Sequence, residues 1–222
     1  MRDLPLDTVE SEPAGPPDLT VIWLHGLGAD GHDFEPIVAE LDVQAAVRFV
    51  FPHAPVRPVT VNGGLAMRAW YDIFGWGEDA VEDVLGIRAS AAAVARLIDR
   101  EVDRGMDTRQ IALAGFSQGG AIALHAALRE PRQLAGTIAL STYLPVADTL
   151  EAERSDLNRK IPILMAHGTA DPVIPIALAK ASRRMLERLG YAVEWHEYSM
   201  GHAVCGPEIV AIGGWLSRLA AR

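Results

Sequence analysis

Three scarcities narrow the reading of this chain before any motif is considered. It has one cysteine, Cys205, which excludes an internal disulfide and any cysteine-based metal cluster, and its apolar neighbours suit a small buried residue better than a reactive thiol. Cations are in the minority: 20 Lys and Arg against 29 Asp and Glu leave a formal net charge of −9. Nucleic acids and anionic membranes are bound by clustered positive charge, so both are poor partners. No apolar run reaches the roughly 18 residues of a membrane span. The N-terminus, with Asp3, Asp7, Glu10 and Glu12, reads as neither signal peptide nor anchor, so we expect no stable membrane insertion and a cytoplasmic location.

Apolar residues, by contrast, are plentiful. They make up 50% of 222 residues, enough for one large core, and no linker interrupts them. Residues 1–222 therefore read as a single domain with an N-terminal lead-in over 1–18. Continuously apolar runs at Leu19–Leu24, Val47–Phe51, Ile111–Ala114, Thr137–Leu140 and Ile163–Ala166 predict buried parallel strands. Val193–Tyr198 alternates apolar and polar residues and predicts an edge strand, with His196 on its solvent face. Helical spacing falls between them: Phe34–Leu41, Ile87–Val102 before Gly105, Ile176–Leu189 before Gly190, and Glu208–Leu219. This alternation predicts an α/β fold, a mostly parallel central sheet with helices on both faces. Residues 52–86 and 142–160 show no sustained period, and long irregular segments in compact domains are usually functional. The structure of 142–160 is left open.

The stretch Gly115-Phe116-Ser117-Gln118-Gly119-Gly120 places a serine between glycines where an apolar strand meets an apolar helix. Chance alone gives G-x-S-x-G in roughly one chain in thirteen of this length, so the motif draws its weight from that strand-turn-helix context, which projects the serine oxygen above the sheet. A serine hydroxyl becomes nucleophilic when a neutral imidazole takes its proton, and a carboxylate must fix that imidazole's tautomer. In an open parallel sheet, ligands gather beyond the carboxyl ends of the strands. The order Ser, Asp, His selects His202, in the last loop before the closing helix, as the base. Asp171 directly follows an apolar strand and is stiffened by Pro172, which favours it over Asp148 and Asp156 as the acid.

The other histidines fit structural roles. His25 and His167 sit at strand ends beside glycines, and His125 lies on the apolar helix after Ser117. His32 and His53 lie in loops without metal-ligand spacing, so no metal is expected. Acyl transfer also needs donors for a developing oxyanion. The backbone amide of Gln118 and one from the His25-Gly26-Leu27-Gly28 turn, namely Leu27, suit that role.

Taken together, the segments His25–Gly28 with Ala29-Asp30-Gly31, Phe51–Pro55, Ala69–Ile73, Gly115–Gly120, Leu140–Pro145, His167–Pro172 and Gly201-His202 resemble the small carboxylesterase and acyl-protein thioesterase (phospholipase/carboxylesterase) family of α/β-hydrolases. Arg57–Gly64 resembles its bacterial esterases in particular. The resemblance runs from about Leu19 to the C-terminus. It implies an α/β-hydrolase fold without a large cap domain, a Ser117-Asp171-His202 triad, an oxyanion hole from Leu27 and Gln118, and no cofactor. It further implies an acyl groove lined by Trp70 and nearby side chains, for which Leu27, Tyr71 and Val173 are candidates. The expected activity is a serine carboxylesterase acting on short- to medium-chain esters. The alternatives are an acyl-protein thioesterase or lysophospholipase and, more remotely, a non-catalytic binding protein on the same fold. The expected partner is a small-molecule or lipid ester, and a homodimer is compatible with the sequence. After His202 the run Ala203–Glu208 is less acidic than in relatives, which leaves the rim beside the base undefined.

Overall fold

The computed structural model describes residues 6–75 and 81–222, so Asp3 and Trp76–Ala80 lie outside the described residues. The chain runs β1 (Thr8–Ser11), β2 (Leu19–Leu24), β3 (Val47–Pro52), β4 (Val56–Val59), β5 (Leu65–Arg68), α1 (Val84–Asp103), β6 (Ile111–Phe116), α2 (Gln118–Arg129), β7 (Gly136–Leu140), α3 (Leu150–Glu153), β8 (Ile163–Gly168), α4 (Ile176–Arg188), β9 (Val193–Tyr198) and α5 (Gly206–Ala220). Seven strands form one sheet in the order β1-β3-β2-β6-β7-β8-β9. All neighbours pair in parallel except β1, which runs antiparallel to β3.

The strands β2, β3, β6, β7 and β8 are apolar on both sides because both sides are covered. On one face, Ile22, Leu24, Val50 and Leu113 meet Val94, Leu97 and Ile98 of α1, Ile122 of α2 and Leu186 of α4. On the other, Val21, Trp23, Phe49 and Leu164 meet Ile212, Trp215 and Leu216 of α5 together with Phe34 and Ile37. This is an α/β-hydrolase fold. From β2 the chain steps outward to β3 and then returns past β2 to β6. The switch point, where such a sheet opens a crevice, therefore lies between the carboxyl ends of β2 and β6.

Several expectations are corrected. Phe34–Leu41 is not an α-helix: Glu35–Glu40 is a 3-10 turn with a proline in its first turn, too short to repay helix nucleation with i to i−4 bonds. The sequence reading missed β1 because Thr8–Ser11 has no apolar signature. Charge fixes it instead. Glu10 and Glu12 bind Arg100, Arg104 and Arg48, and all three arginines converge on the fully buried Glu101. Residues 52–86 are not wholly irregular, since β4 and β5 form an antiparallel hairpin; Pro58 and the exposed positions hide it. In 142–160 the chain makes short helical turns against α2, and among the described residues no insertion forms a cap. Cys205 is half-buried rather than buried. Among the described residues no helix is long and apolar enough to cross a membrane.

Candidate active site

The site begins with the turn that ends β6. Ser117 has φ 54° and ψ −121°, a region that an L-residue enters only where its surroundings force it. The packing shows the constraint. A Cβ on Gly119 would lie 2.2 Å from the Leu24 carbonyl oxygen, so only glycine lets α2 start flush against the end of β2. Ser117 is thereby held at the switch point, 8% exposed, with its amide donating to Leu140 O at 2.9 Å. Its carbonyl accepts from Thr142 Oγ1 at 2.7 Å.

Two further loops converge on it. Beyond β8 and β9 the backbones are stitched together, with Thr169 N donating to Tyr198 O at 2.8 Å and Ala170 N to Met200 O at 3.1 Å. A Cβ on Gly168 would stand 2.3 Å from Gly201 O, so the close approach of these loops also requires glycine. The outcome is a continuous relay: His202 Nε2 lies 2.9 Å from Ser117 Oγ, and His202 Nδ1 lies 2.7 Å from Asp171 Oδ2. The Phe116 ring packs 4.7 Å from the imidazole, centroid to centroid, limiting its tilt.

Asp171 is set to stay ionised. Burial pushes its carboxyl up, but the His202 hydrogen bond and the amides of Ile174 and Val173 more than offset that and hold it below the usual carboxylate range. Those amides donate to Oδ1 at 2.9 and 2.8 Å, leaving Oδ2 for the imidazole. His167 stands 3.4 Å from the same Oδ2 while its Nε2 is 2.8 Å from Ile174 O. An Nε2–H donated to that carbonyl ties the loop, and burial lowers the ring's pKa and keeps it neutral.

The turn after β2 is fixed by His25. The amide of Ala54 donates to Nε2 at 3.0 Å, so that nitrogen carries no proton and Nδ1–H donates to Gly26 O at 2.7 Å. Burial lowers this ring's pKa to about 4. Gly26 lies against the serine, since its Cβ position is 3.6 Å from Ser117 Cβ. Among the described residues, the amides of Leu27 and Gln118 donate to no protein acceptor.

Of the predicted site residues, then, Ser117, His202 and Asp171 are in hydrogen-bond contact, and Leu27 and Gln118 belong to the two turns beside the serine. The expected groove wall is corrected. Trp70 is 0% and Tyr71 3% exposed, so neither offers a surface to a ligand. The Trp70 indole donates to His25 O at 2.9 Å, and the Tyr71 hydroxyl pairs with that of Tyr143 at 3.0 Å. Leu27 is half-buried and Val173 exposed. The sequence reading missed the Gln118 side chain, which accepts from Trp70 N and donates to Tyr71 O, both at 2.8 Å. It also missed Thr142, whose place just after β7 and next to β6 was the available signal. Recesses of about 250 and 440 Å³, lined by residues such as Arg109, Leu134, Lys160 and Trp215, lie at the amino ends of the strands, opposite this chemistry.

A hydroxyl, an imidazole and an ionised carboxylate in this order are the groups that acyl transfer through a serine requires. The comparisons agree with that chemistry. The family model described as phospholipase/carboxylesterase matches residues 7–219. The chain is 40% identical to acyl-protein thioesterase 1 of Neurospora crassa over 209 residues, covering 89% of this chain and 85% of that protein. It is 38% identical to acyl-protein thioesterase 1 of Schizosaccharomyces pombe, covering 82% and 81%. The crystal structure of Zea mays acyl-protein thioesterase 2 superimposes with a TM-score of 0.86 at 31% identity, covering 96% of this chain and 99% of that one.

Proposed function

The chain belongs to the phospholipase/carboxylesterase family and is a hydrolase of esters or thioesters, and from that premise we propose that its substrate is an acyl thioester carried on a protein. The observation behind the hydrolytic step is the relay from Ser117 through His202 to Asp171, with links of 2.9 and 2.7 Å. The choice of thioester rests on the 40% identity to a protein named for that activity. It takes the thioesterase alternative in preference to the expectation of a short- to medium-chain carboxylic ester as the main substrate.

In this reading Ser117 Oγ attacks the acyl carbonyl carbon while His202 Nε2 takes its proton. The carbonyl electron pair moves onto oxygen, which the amides of Leu27 and Gln118 stabilise. Asp171 holds the Nδ1–H tautomer and steadies the imidazolium. When the tetrahedral adduct collapses, the carbon–sulfur bond breaks and the thiol leaves with the proton from His202. A thiol, with a pKa of about 8.5, needs less help in leaving than an alcohol does. Water then attacks the acyl-enzyme, giving a proton to His202, and the carboxylic acid departs as Ser117 recovers its proton.

The test uses one peptide bearing the same octanoyl chain either on Cys as a thioester or on Ser as an oxygen ester. The expected outcome is a kcat/KM at least about tenfold higher on the thioester and a loss of both activities in Ser117→Ala on the order of 10⁶-fold. A preference for the oxygen ester, or for a single-chain lysophospholipid, would overturn the substrate class. Undiminished turnover by Ser117→Ala would overturn the mechanism.

A further inference from the structure

The two amides assigned to the oxyanion hole come from different segments of the chain, one in the turn after β2 and one at the start of α2. Their spacing decides how well they serve one oxygen, because such donors work only when aimed at the position the oxyanion will take. The ladder between β2 and β6 ends at Leu24 and Gly115, before either donor. Something beyond the sheet must therefore hold the turns in register.

Trp70 joins both turns. Its amide donates to Gln118 Oε1 at 2.8 Å and its indole Nε1–H to His25 O at 2.9 Å. Gln118 Nε2 returns a bond to Tyr71 O at 2.8 Å. On the far side, the Trp70 carbonyl accepts from Ser90 Oγ of α1, so the tryptophan is anchored to a helix as well as to both turns. Its ring packs 5.3 Å from that of His25, and at 0% exposure it meets no substrate. Each polar atom of Trp70 is thus used by the frame around Ser117, and the Gln118 side-chain amide faces inward while its backbone N–H stays free.

We infer that Trp70, clasped by the Gln118 side chain, is a positioning residue that holds the Leu27 and Gln118 amides at the separation the oxyanion needs. Truncating the brace lets the His25–Leu27 turn drift from the serine turn. The substrate still binds in its groove, but the transition state loses part of its hydrogen bonding. The signature is a fall in kcat with little change in KM. A groove wall would behave the other way, moving KM and acyl-length preference.

This inference rests on the hydrolytic reading above, and the experiment separates the two. Trp70→Phe keeps an aromatic ring and removes the Nε1–H; Gln118→Met keeps the backbone amide and removes the clasp. Functional sites are counted by fluorophosphonate titration, so loss of folded protein is divided out and Gln118→Met serves if Trp70→Phe folds poorly. Turnover is measured on p-nitrophenyl esters of several acyl lengths, beside the affinity for a trifluoromethyl ketone that forms an oxyanion adduct on Ser117. We expect kcat per site to fall on the order of 10- to 100-fold, less than loss of a whole donor. KM should stay within about twofold, acyl-length preference should not move, and ketone affinity should weaken in parallel with kcat/KM. Wild-type kcat per site and ketone affinity in both variants would overturn the brace, as would a change confined to KM or acyl preference. Activity surviving in Ser117→Ala would instead overturn the hydrolytic reading itself.

Discussion

Replacing Glu208 by glutamine will change how the protein's stability responds to pH. Glu208 lies in the first turn of α5, four residues after the Val204 that follows the base loop. It is 0% exposed, and among the described residues neither carboxyl oxygen has a full hydrogen bond. Burial therefore pushes its pKa from 4.5 to about 7, opposed only by the nearby Cys205 amide. The buried site favours the neutral acid. At about 1.4 kcal/mol per pH unit, that gap is worth about 3 kcal/mol. Below pH 4.5 the acid is protonated whether the chain is folded or not, and no stability is lost. Above pH 4.5 the unfolded chain holds a solvated carboxylate while the folded site keeps its proton, so the stabilisation falls as pH rises and is gone once pH passes about 7, where the folded acid ionises too. The Glu208→Gln variant, with no proton to lose there, would show no such dependence. Urea unfolding of both proteins at pH 4.5, 6 and 8 gives the difference at each pH. The variant should gain about 3 kcal/mol relative to wild type between the lowest and highest values. His25 and His125, both lowered to about 4 mainly by burial, titrate on the acid side in both proteins and cancel in the subtraction. A difference independent of pH would refute the reasoning and mean that Glu208 is solvated or paired in solution.

Glu101→Gln should lower unfolding stability by about 1–3 kcal/mol, because Arg48, Arg100 and Arg104 lose the buried carboxylate on which they converge and keep only Glu10 and Glu12 as partners. Chemical denaturation measures this, and native-state hydrogen exchange should show β1 opening first. Asp171→Asn should leave the fold intact and drop kcat on the order of 10³- to 10⁴-fold, since an amide can present its NH₂ to Nδ1 and favour the wrong imidazole tautomer. Steady-state kinetics on the octanoyl thioester checks it.

The sequence was most readable where local pattern and global position agree. The buried strands needed only continuous apolar runs, and Val193–Tyr198 matches β9 residue for residue. Ser117, Asp171 and His202 could be chosen because each follows a strand and sheet topology brings those ends together. Four strands extend a residue or two beyond their apolar runs, to Pro52, Phe116, Gly136 and Gly168; three of these extensions carry a glycine, which pairs in a ladder although it lacks a side chain to signal it. β1 was invisible for the opposite reason. Its stability comes from ion pairs with residues far along the chain, which no local period records.

Trp70 shows where such reading stops and why. The family resemblance implied that Trp70 lines the acyl groove, and nothing in Ala69–Ile73 contradicts it. Its actual position depends on a backbone amide, an indole N–H and a carbonyl, each paired with a partner remote in sequence: Gln118, His25 and Ser90. Hydrogen bonds to main-chain atoms leave no trace in residue type, since every residue has the same carbonyl. Within segment 52–86, Trp70 and Tyr71 follow β5 and bond the Gln118 side chain at the start of α2. Shortening the hairpin β4–β5 should also lower kcat, because Arg68 O at the end of β5 accepts from Gly28 N at 2.9 Å, in the turn that carries Leu27; steady-state kinetics per titrated site checks it.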